Sequence, residues 1–174
     1  LIWKWVLSPE YGAINNILAL FGIEGPSWLQ SSKWAMPAIV LASVWKDMGY
    51  FGLMLISGLQ GINQEYYDAA AIDGAGKIKQ FTRITLPLLT PTLFFVLIIS
   101  LINSFQLFTQ IMIMTPDGGP LGSTMVMVER IYKCGFRYYE MGTAAAYSWI
   151  LFAILLLLTM VQMKLQNKWV NYDD

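Results

Sequence analysis

The residues best suited to bind a polar molecule lie inside long apolar stretches of the chain. Asn103, Gln106 and Gln110 are spaced i, i+3 and i+7 in a segment otherwise rich in Leu, Ile, Phe and Met. This spacing places them on one face if the segment is a helix. An amide that faces lipid has no hydrogen-bond partner, so these amides should face protein or a water-filled path. Two interpretations remain: they line a path for an uncharged, hydrogen-bonding solute, or they bond neighbouring helices together.

Charged residues interrupt another apolar stretch. Lys46, Asp47 and Tyr50 fall at i, i+1 and i+4, well inside the segment from Ala35 to Leu59. A lone charge at such a depth costs about 2.5 to 3.5 kcal/mol, so both charges should have partners. Adjacent residues on a helix point about 100° apart, and we therefore expect the partners to lie on other helices or in a part of the protein that this sequence does not include. A role in a solute path and a bundle-holding ion pair both fit these residues.

The composition excludes several classes of function. There is no histidine and one cysteine, Cys134, which excludes most metal sites, Ser-His-Asp or Cys-His catalysis and an internal disulfide framework. Eleven basic residues balance eleven acidic ones, so nothing indicates a nucleic-acid partner. Cys134 is expected to be a packing residue. The chain is not expected to be an enzyme, and no metal or cofactor is expected in it.

Hydropathy and charge together predict an integral membrane protein. Of the residues, 56% are hydrophobic and 13% charged, against about 25% charged in soluble domains. A helix needs about 20 apolar residues to cross a bilayer. Three segments meet this requirement, which predicts an all-α helical bundle with spans at about 35–59, 87–114 and 141–163.

The remaining segments are expected to lie outside the bilayer or at its surface. Residues 1–34 are mixed in character and end in tryptophans suited to the headgroup level, so we predict an extracytoplasmic or interfacial segment there. Residues 35–174 are predicted to belong to one transmembrane domain. Lys164, Lys168 and Trp169 are expected to close the third span at the other interface. Counting basic residues gives a tie, so charge alone does not orient the chain.

The polar segment between the first two spans, residues 60–86, has strong local signals. Asn63 can cap a helix, and Gly74 can supply the left-handed residue that ends it. A second short helix is predicted from about Gly76 to Arg83. Gly76-Lys77 resembles the end of a phosphate-binding loop, but that pattern needs glycine at position 71 and Ser or Thr at position 78, where this chain has Ala71 and Ile78.

This loop resembles the EAA motif of binding-protein-dependent ABC transporter permeases. Asp68-Ala69-Ala70, then Gly74, then Ile84-Thr85-Leu86-Pro87 match the form E-A-A-x3-G-x9-I-x-L-P. Asp68 stands where Glu is usual, which shortens the side chain and keeps its charge. The flanks, including Gly118-Gly119-Pro120 and Trp169-Val170-Asn171-Tyr172, are similar to the sugar-transporting branch of the family.

The resemblance implies a function, an orientation and a set of partners. The chain would be the C-terminal part of a sugar permease in the cytoplasmic membrane, with its helix-turn-helix coupling loop in the cytoplasm. The implied partners are a related second permease, two ATP-binding subunits that hold ATP and Mg²⁺, an extracytoplasmic solute-binding protein and the bilayer. The residues expected to couple to the ATPase are Glu65, Asp68, Ala69, Ala70, Asp73, Gly74, Ile84, Leu86 and Pro87.

A membrane scaffold protein is the competing interpretation. In it, the polar residues within the spans would only pack helices, and the loop would bind something other than an ATPase. Composition and periodicity alone permit this interpretation, and the complete loop motif argues against it.

Overall fold

The computed structural model describes residues 2–170, except for the side chains of residues 167 and 168. The predicted roles of Lys168 and of residues 171–174 lie outside this part. Ten α-helices occur in it, joined by turns and two short π-helical segments: α1 Ile2–Val6, α2 Ala13–Leu20, α3 Ala35–Gln60, α4 Gln64–Ile72, α5 Lys77–Gln80, α6 Leu86–Leu88, α7 Thr90–Phe105, α8 Thr109–Met114, α9 Met127–Tyr132 and α10 Met141–Trp169. The all-α prediction is confirmed.

Two of the described helices are long and apolar enough to cross a membrane. The first is α3, which matches the predicted first span to within one residue, and the second is α10, which begins where predicted and extends to Trp169. Large apolar side chains on both stay exposed, including Leu53 at 69% and Trp149 at 70%. Such a surface needs lipid or further helices to cover it.

The predicted second span, 87–114, is not one straight helix, and the first deviation is at its start. The helix that begins at Lys77 continues through a π-helical segment, Phe81–Thr85, and through Pro87, and it bends by 60° before α7. Pro91 has no N–H to donate to the carbonyl of Pro87, and the hydroxyl of Thr90 donates to that carbonyl instead, at 2.6 Å. The bend therefore lies at Leu89, the residue between α6 and α7. If this bent pair forms one span, three helices can cross the membrane.

The second deviation divides the rest of that segment. Residues 106–108 are not helical, so α7 ends at Phe105 and α8 begins at Thr109. Phe108 has φ −127° and ψ −57°, which lies outside helical geometry. Apolar periodicity does not reveal such a break, because the residues on both sides remain hydrophobic.

The chain forms two compact units, and the first comprises Leu1–Asp47 and Asn103–Ile154. Its apolar core joins the N-terminal segment to α3 and α8, through Leu7, Ala38, Ile39, Ala42, Ile111 and Met114. Asn15 holds the N-terminal segment together. Its amide donates to the carbonyls of Pro9 and Pro26, at 3.1 and 3.3 Å, and its oxygen accepts from the Trp28 indole at 2.6 Å.

The second unit contains Met48–Ile102 and the described residues from Leu155 onward. Gly58 of α3 lies against α7, where a Cβ would come within 2.5 Å of the Thr92 hydroxyl oxygen and 2.9 Å of a Leu89 methyl carbon. Glycine therefore permits this close helix approach. The rings of Phe94 and Trp169 pack edge to face at 5.9 Å between centroids. This unit carries the whole loop that the motif identified.

Candidate functional site

The first helix of the loop begins with the predicted cap. The Asn63 side chain accepts a hydrogen bond from the backbone N–H of Glu65 at 3.1 Å, and its amide donates to the Glu65 carboxylate at 3.2 Å. One turn later, Gln64 donates to the Asp68 carboxylate at 3.3 Å. Both acidic side chains are exposed. The cap satisfies an N–H at the helix start, and Glu65 lies near the positive end of the helix dipole.

Gly74 ends this helix as predicted, with φ +75°. The N–H of Ala75 bonds to the carbonyl of Ala70 at 2.8 Å, and the N–H of Gly74 to that of Ala71 at 3.0 Å. These two bonds form a Schellman motif, which requires a left-handed residue. No atom lies within 4 Å of where a Gly74 Cβ would stand. Backbone conformation, and not space, is therefore what selects glycine here.

A hydrogen bond that the sequence did not predict joins the two halves of the loop. The Tyr67 hydroxyl lies 2.9 Å from the Thr85 hydroxyl, and Thr85 is 8% exposed. Thr85 is the variable position of the Ile84-x-Leu86-Pro87 part of the motif. The bond therefore ties α4 to the π-helical segment that leads into the bent span.

The rest of the loop presents an open surface. Asp68, Ala69, Asp73 and Gly74 are exposed and Ala70 is half-buried. Near the C-terminal end of the motif, Leu86 is exposed and Ile84 and Pro87 are half-buried. Large apolar side chains are exposed beside them: Ile72 at 87%, Ile78 at 82% and Phe81 at 55%. Exposed apolar groups next to small residues are typical of a surface that another protein covers.

The three amides predicted to share one helix face lie in three different segments. Asn103 is near the end of α7, Gln106 is in the break, and Gln110 is in α8. The i, i+3, i+7 prediction is wrong as a statement about one continuous helix, because the helix stops at Phe105. Asn103 and Gln106 are exposed, and Gln110 is half-buried.

The expectation about Lys46 and Asp47 is also corrected. The Lys46 ammonium lies 3.3 Å from the Asp47 carboxylate, so these adjacent residues pair with each other. The long, flexible lysine side chain folds back around the helix and overcomes the 100° separation that argued against this pair. Both side chains remain accessible, at 55% and 32%, and Tyr50 is exposed. An ion pair this accessible contributes little to stability, so its members remain available to other groups.

The turn after α8 is built around two buried threonines. The hydroxyls of Thr115 and Thr124 lie 2.9 Å apart, and Thr115 also donates to the Ile111 carbonyl at 3.3 Å. Gly119 has φ +66°, and a Cβ there would come within 2.6 Å of the Thr124 hydroxyl oxygen. The glycine therefore serves both the backbone conformation and the close approach.

A charge network follows this turn, and the sequence analysis missed it. Glu129 and Lys133 are 3% and 6% exposed, and their charged groups lie 3.0 Å apart. Asp117 lies 3.7 Å from the Lys133 ammonium and accepts a hydrogen bond from Arg137. The i, i+4 spacing of Glu129 and Lys133 was the available signal. It did not reveal the burial, which depends on contacts distant in sequence.

This network shifts the ionisation of its exposed members. The hydrogen bond from Arg137 lowers the pKa of Asp117 below its ordinary value of 3.8, with a further contribution from the charge of Lys133. The same bond raises the pKa of Arg137. Elsewhere on α9, a hydrogen bond to Tyr147 raises the pKa of Arg130. The turn and the helix after it are therefore joined by groups that stay charged near neutral pH.

The buried residues near the network include Cys134, which is 2% exposed. Its predicted role in packing is confirmed. In the same region, Tyr132 packs against Phe108 and Phe136, with ring centroids 5.1 and 5.5 Å away. Tyr138 and Tyr139 are exposed at 53% and 79%.

Curated proteins similar to this chain are permease components of bacterial transport systems. The sulfoquinovosyl glycerol transport system permease protein SmoG of Agrobacterium fabrum is 38% identical over 95% of this chain and 53% of its own length. The sn-glycerol-3-phosphate transport system permease protein UgpA of Shigella flexneri is 36% identical over 99% of this chain and 58% of its own length. The chain thus spans between half and three fifths of the length of these relatives.

A solved structure has the same fold. It is a bacterial ABC transporter involved in the import of the acidic polysaccharide alginate, with a TM-score of 0.84 and 24% identity over 95% of this chain and 58% of the other. The family described as "Binding-protein-dependent transport system inner membrane component" matches residues 4–172. With the capped loop, the glycine-terminated helix and the apolar spans in place, the chain belongs to this family of inner membrane components.

Proposed function

We propose that this chain is the C-terminal part of a permease subunit that carries a sugar or sugar-like solute through an ABC importer in the cytoplasmic membrane. The loop 60–86 is the observation that carries the proposal. The Asn63 cap and the Gly74 Schellman motif fix the ends of its first helix, and the loop exposes small and apolar groups. The names of SmoG and UgpA support a glycerol-linked or sugar-like substrate.

In this proposal, the loop docks on an ATP-binding subunit and transmits its motion to the spans. Ala69, Ala70 and Gly74 allow close approach, while Glu65, Asp68 and Asp73 supply charge at the same surface. Ile84, Leu86 and Pro87 then join the loop to the bent helix that leads into α7. ATP and Mg²⁺ belong to the two partner ATPases, and this chain itself needs no cofactor. Transport follows from a two-state equilibrium that solute and nucleotide shift by their different affinities for the two states.

The solute path is assigned to Asn103, Gln106 and Gln110, with Lys46, Asp47 and Tyr50 as further candidates. The break at residues 106–108 supports this assignment, because non-helical backbone at membrane depth is tolerated where it lines a cavity or is covered by protein. Discontinuous helices of this kind form substrate sites in many transporters. The remaining partners are a related second permease, an extracytoplasmic solute-binding protein and lipid.

ATP-driven uptake by the complete transporter in proteoliposomes tests this function. We expect accumulation of sugars or sugar-like solutes that needs ATP and the solute-binding protein. Uptake should fail when the ATPase subunits carry an inactivating substitution. If the assembled complex takes up none of a broad panel of sugars and polyols, the proposed sugar transport is wrong.

Cysteine labelling tests the proposed orientation independently of the solute. Lys79→Cys places a thiol on the exposed face of the loop, and Leu121→Cys places one at a turn residue that is 96% exposed. Cys134→Ser provides the background. In intact cells, a membrane-impermeant thiol reagent should label position 121 and leave position 79 unlabelled until the membrane is opened. Labelling of position 79 in sealed cells contradicts a cytoplasmic loop.

A further inference from the structure

We propose that a cavity beside the buried charge network binds a hydroxyl-bearing part of the transported solute, on the side of the membrane opposite to the coupling loop. The cavity has a volume of about 300 Å³ and lies among α8, the turn after it and α9. This inference rests on the proposed function for its orientation and for the presence of a solute. It adds a binding site separate from the path residues Asn103, Gln106 and Gln110.

One residue of the cavity wall carries a buried acceptor that lacks a donor. The Oε1 atom of Glu129 lies 3.0 Å from the Lys133 ammonium nitrogen, whereas Oε2 has no hydrogen-bond partner among the described residues. The Glu129 residue is 3% exposed and lines the cavity. A carboxylate oxygen buried without a partner is costly, and it gains most from a ligand that donates a hydrogen bond.

The charges favour a neutral hydroxyl group over an anion. Two cations line the cavity, but Lys133 is paired with Glu129, and Arg137 is paired with Asp117. Asp117 and Glu129 also line the cavity, so its four charged side chains cancel and leave no excess positive charge to attract an anion. The carboxylate oxygen that lacks a partner can accept from a hydroxyl without disturbing either pair.

The rest of the wall is aromatic. The rings of Phe108, Tyr132 and Phe136 all line the cavity, and neighbouring centroids are 5.1 and 5.5 Å apart. Binding sites for small molecules commonly combine such apolar walls with a few polar groups that fix orientation. The volume is at the lower end of the range of about 300 to 1,000 Å³ for such sites, which suits one sugar ring or a short polyol.

Protection of an introduced cysteine tests this site without relying on transport. Met112 lines the cavity and is 42% exposed, so Met112→Cys in a Cys134→Ser background reports on its occupancy. The complete transporter is placed in proteoliposomes without solute-binding protein, and the labelling rate with an impermeant maleimide is measured. Glucose and glycerol are the probes, and inorganic phosphate is the anionic control. Glucose or glycerol should slow labelling in a saturable way, and phosphate should not.

Two variants and one matched control sharpen the result. Glu129→Gln should raise the glucose concentration for half-protection about tenfold, since the charged acceptor is replaced by a weaker, neutral amide oxygen. Phe136→Ala should also raise the glucose concentration for half-protection. Because Phe136 is 66% exposed, this variant should fold and keeps the test valid if Glu129→Gln does not. Tyr138→Ala changes a nearby aromatic residue outside the cavity and should leave protection unchanged.

The outcomes separate this inference from the proposed function. Absence of protection by glucose and glycerol, or protection by phosphate alone, overturns the cavity as a hydroxyl site. If the same vesicles still import sugars when ATP and solute-binding protein are added, the proposed function stands without it. Equal protection in Glu129→Gln, Phe136→Ala and Tyr138→Ala also overturns the proposed cavity site, because the cysteine at position 112 would then report on a different site.

Discussion

The coupling loop and the turn after α8 stabilise their conformations in opposite ways. In the loop, the Asn63 side chain and the backbone carbonyls before Gly74 accept from backbone N–H groups and so fix the helix ends, while most side chains remain exposed. The turn after α8 together with α9 is called the outer region, because the proposed orientation places it outside the cell. In this region buried side chains make the contacts: Thr115 with Thr124, and Glu129 with Lys133. The loop therefore leaves its side chains available to another protein, whereas the outer region uses its side chains to hold itself together.

This difference matters for a protein that must transmit motion. A surface that docks on a moving partner needs a stable backbone conformation and side chains that are free to make contacts. Hydrogen bonds at the helix ends provide the first and leave the second. A region that joins a turn to a helix needs contacts that do not change partners easily, and a buried ion pair serves this purpose because breaking it exposes an uncompensated charge. Substitutions in the outer region should therefore affect stability, and those in the loop should affect coupling.

The largest expected effect is on stability, from Lys133→Met. This change leaves the buried Glu129 carboxylate without its cation and should cost about 3 kcal/mol or more. The measurement is thermal unfolding of the purified transporter. The double variant Lys133→Met with Glu129→Leu should recover most of the loss, since it removes both charges. A Lys133→Met protein with unchanged stability would show that the outer region does not depend on this pair.

A large effect on coupling is expected from Gly74→Val. At φ +75° a β-branched residue is strongly disfavoured, so the Schellman motif should open and ATP-driven uptake should fall about tenfold or more. Gly76→Val is the matched control, because Gly76 has φ −67° and ψ 164°, an extended conformation that valine adopts. No atom lies within 4 Å of the Cβ position of either glycine. Equal uptake by both variants, at equal abundance in the membrane, removes the conformational argument for the loop.

The contrast between the regions also explains what the sequence could predict. The loop could be placed almost to the residue, because the Asn63 cap and the left-handed Gly74 are local signals that act within one turn of helix. The ends of α3 and the start of α10 were predicted equally well from apolar length. In each case the determining interaction is between residues close together in sequence, or between the chain and lipid.

The features that were missed depend on contacts across longer separations. The Tyr67–Thr85 bond spans 18 positions, and the Asp117–Arg137 bond spans 20. The break at residues 106–108 occurs inside an apolar run, where periodicity cannot distinguish one helix from two. Lys46 and Asp47 are a local pair that was wrongly excluded. Neighbouring side chains on a helix point in different directions, but the flexible lysine side chain still reaches the Asp47 carboxylate.

A smaller effect is expected from Tyr67→Phe, which removes a side-chain hydrogen bond between α4 and the bent helix. The loss should be about 1 kcal/mol, the usual net contribution of a hydrogen bond, with a modest fall in ATP-driven uptake. Thr85→Ser keeps a hydroxyl at the same place and should retain more activity than Tyr67→Phe. If Tyr67→Phe transports like the parent protein, the loop does not need this side-chain bond, and the hydrogen bonds at its helix ends are sufficient to hold its conformation. The loop would then differ even more from the outer region, which depends on side-chain contacts.

The smallest effect is expected from Asp117→Asn, because this carboxylate is 61% exposed and its ion pair with Arg137 is screened by water. Asparagine adopts the left-handed conformation as readily as aspartate, so the change at φ +64° alters charge and not backbone. The lowered pKa of Asp117 means that its contribution is present above the ordinary value of 3.8 and is lost as the pH falls through the folded-state value. The difference in thermal unfolding between parent and variant should therefore be constant from about pH 5 to pH 7 and vanish at lower pH. A difference that grows on acidification would assign the stabilisation to the protonated carboxyl and contradict the pairing with Arg137.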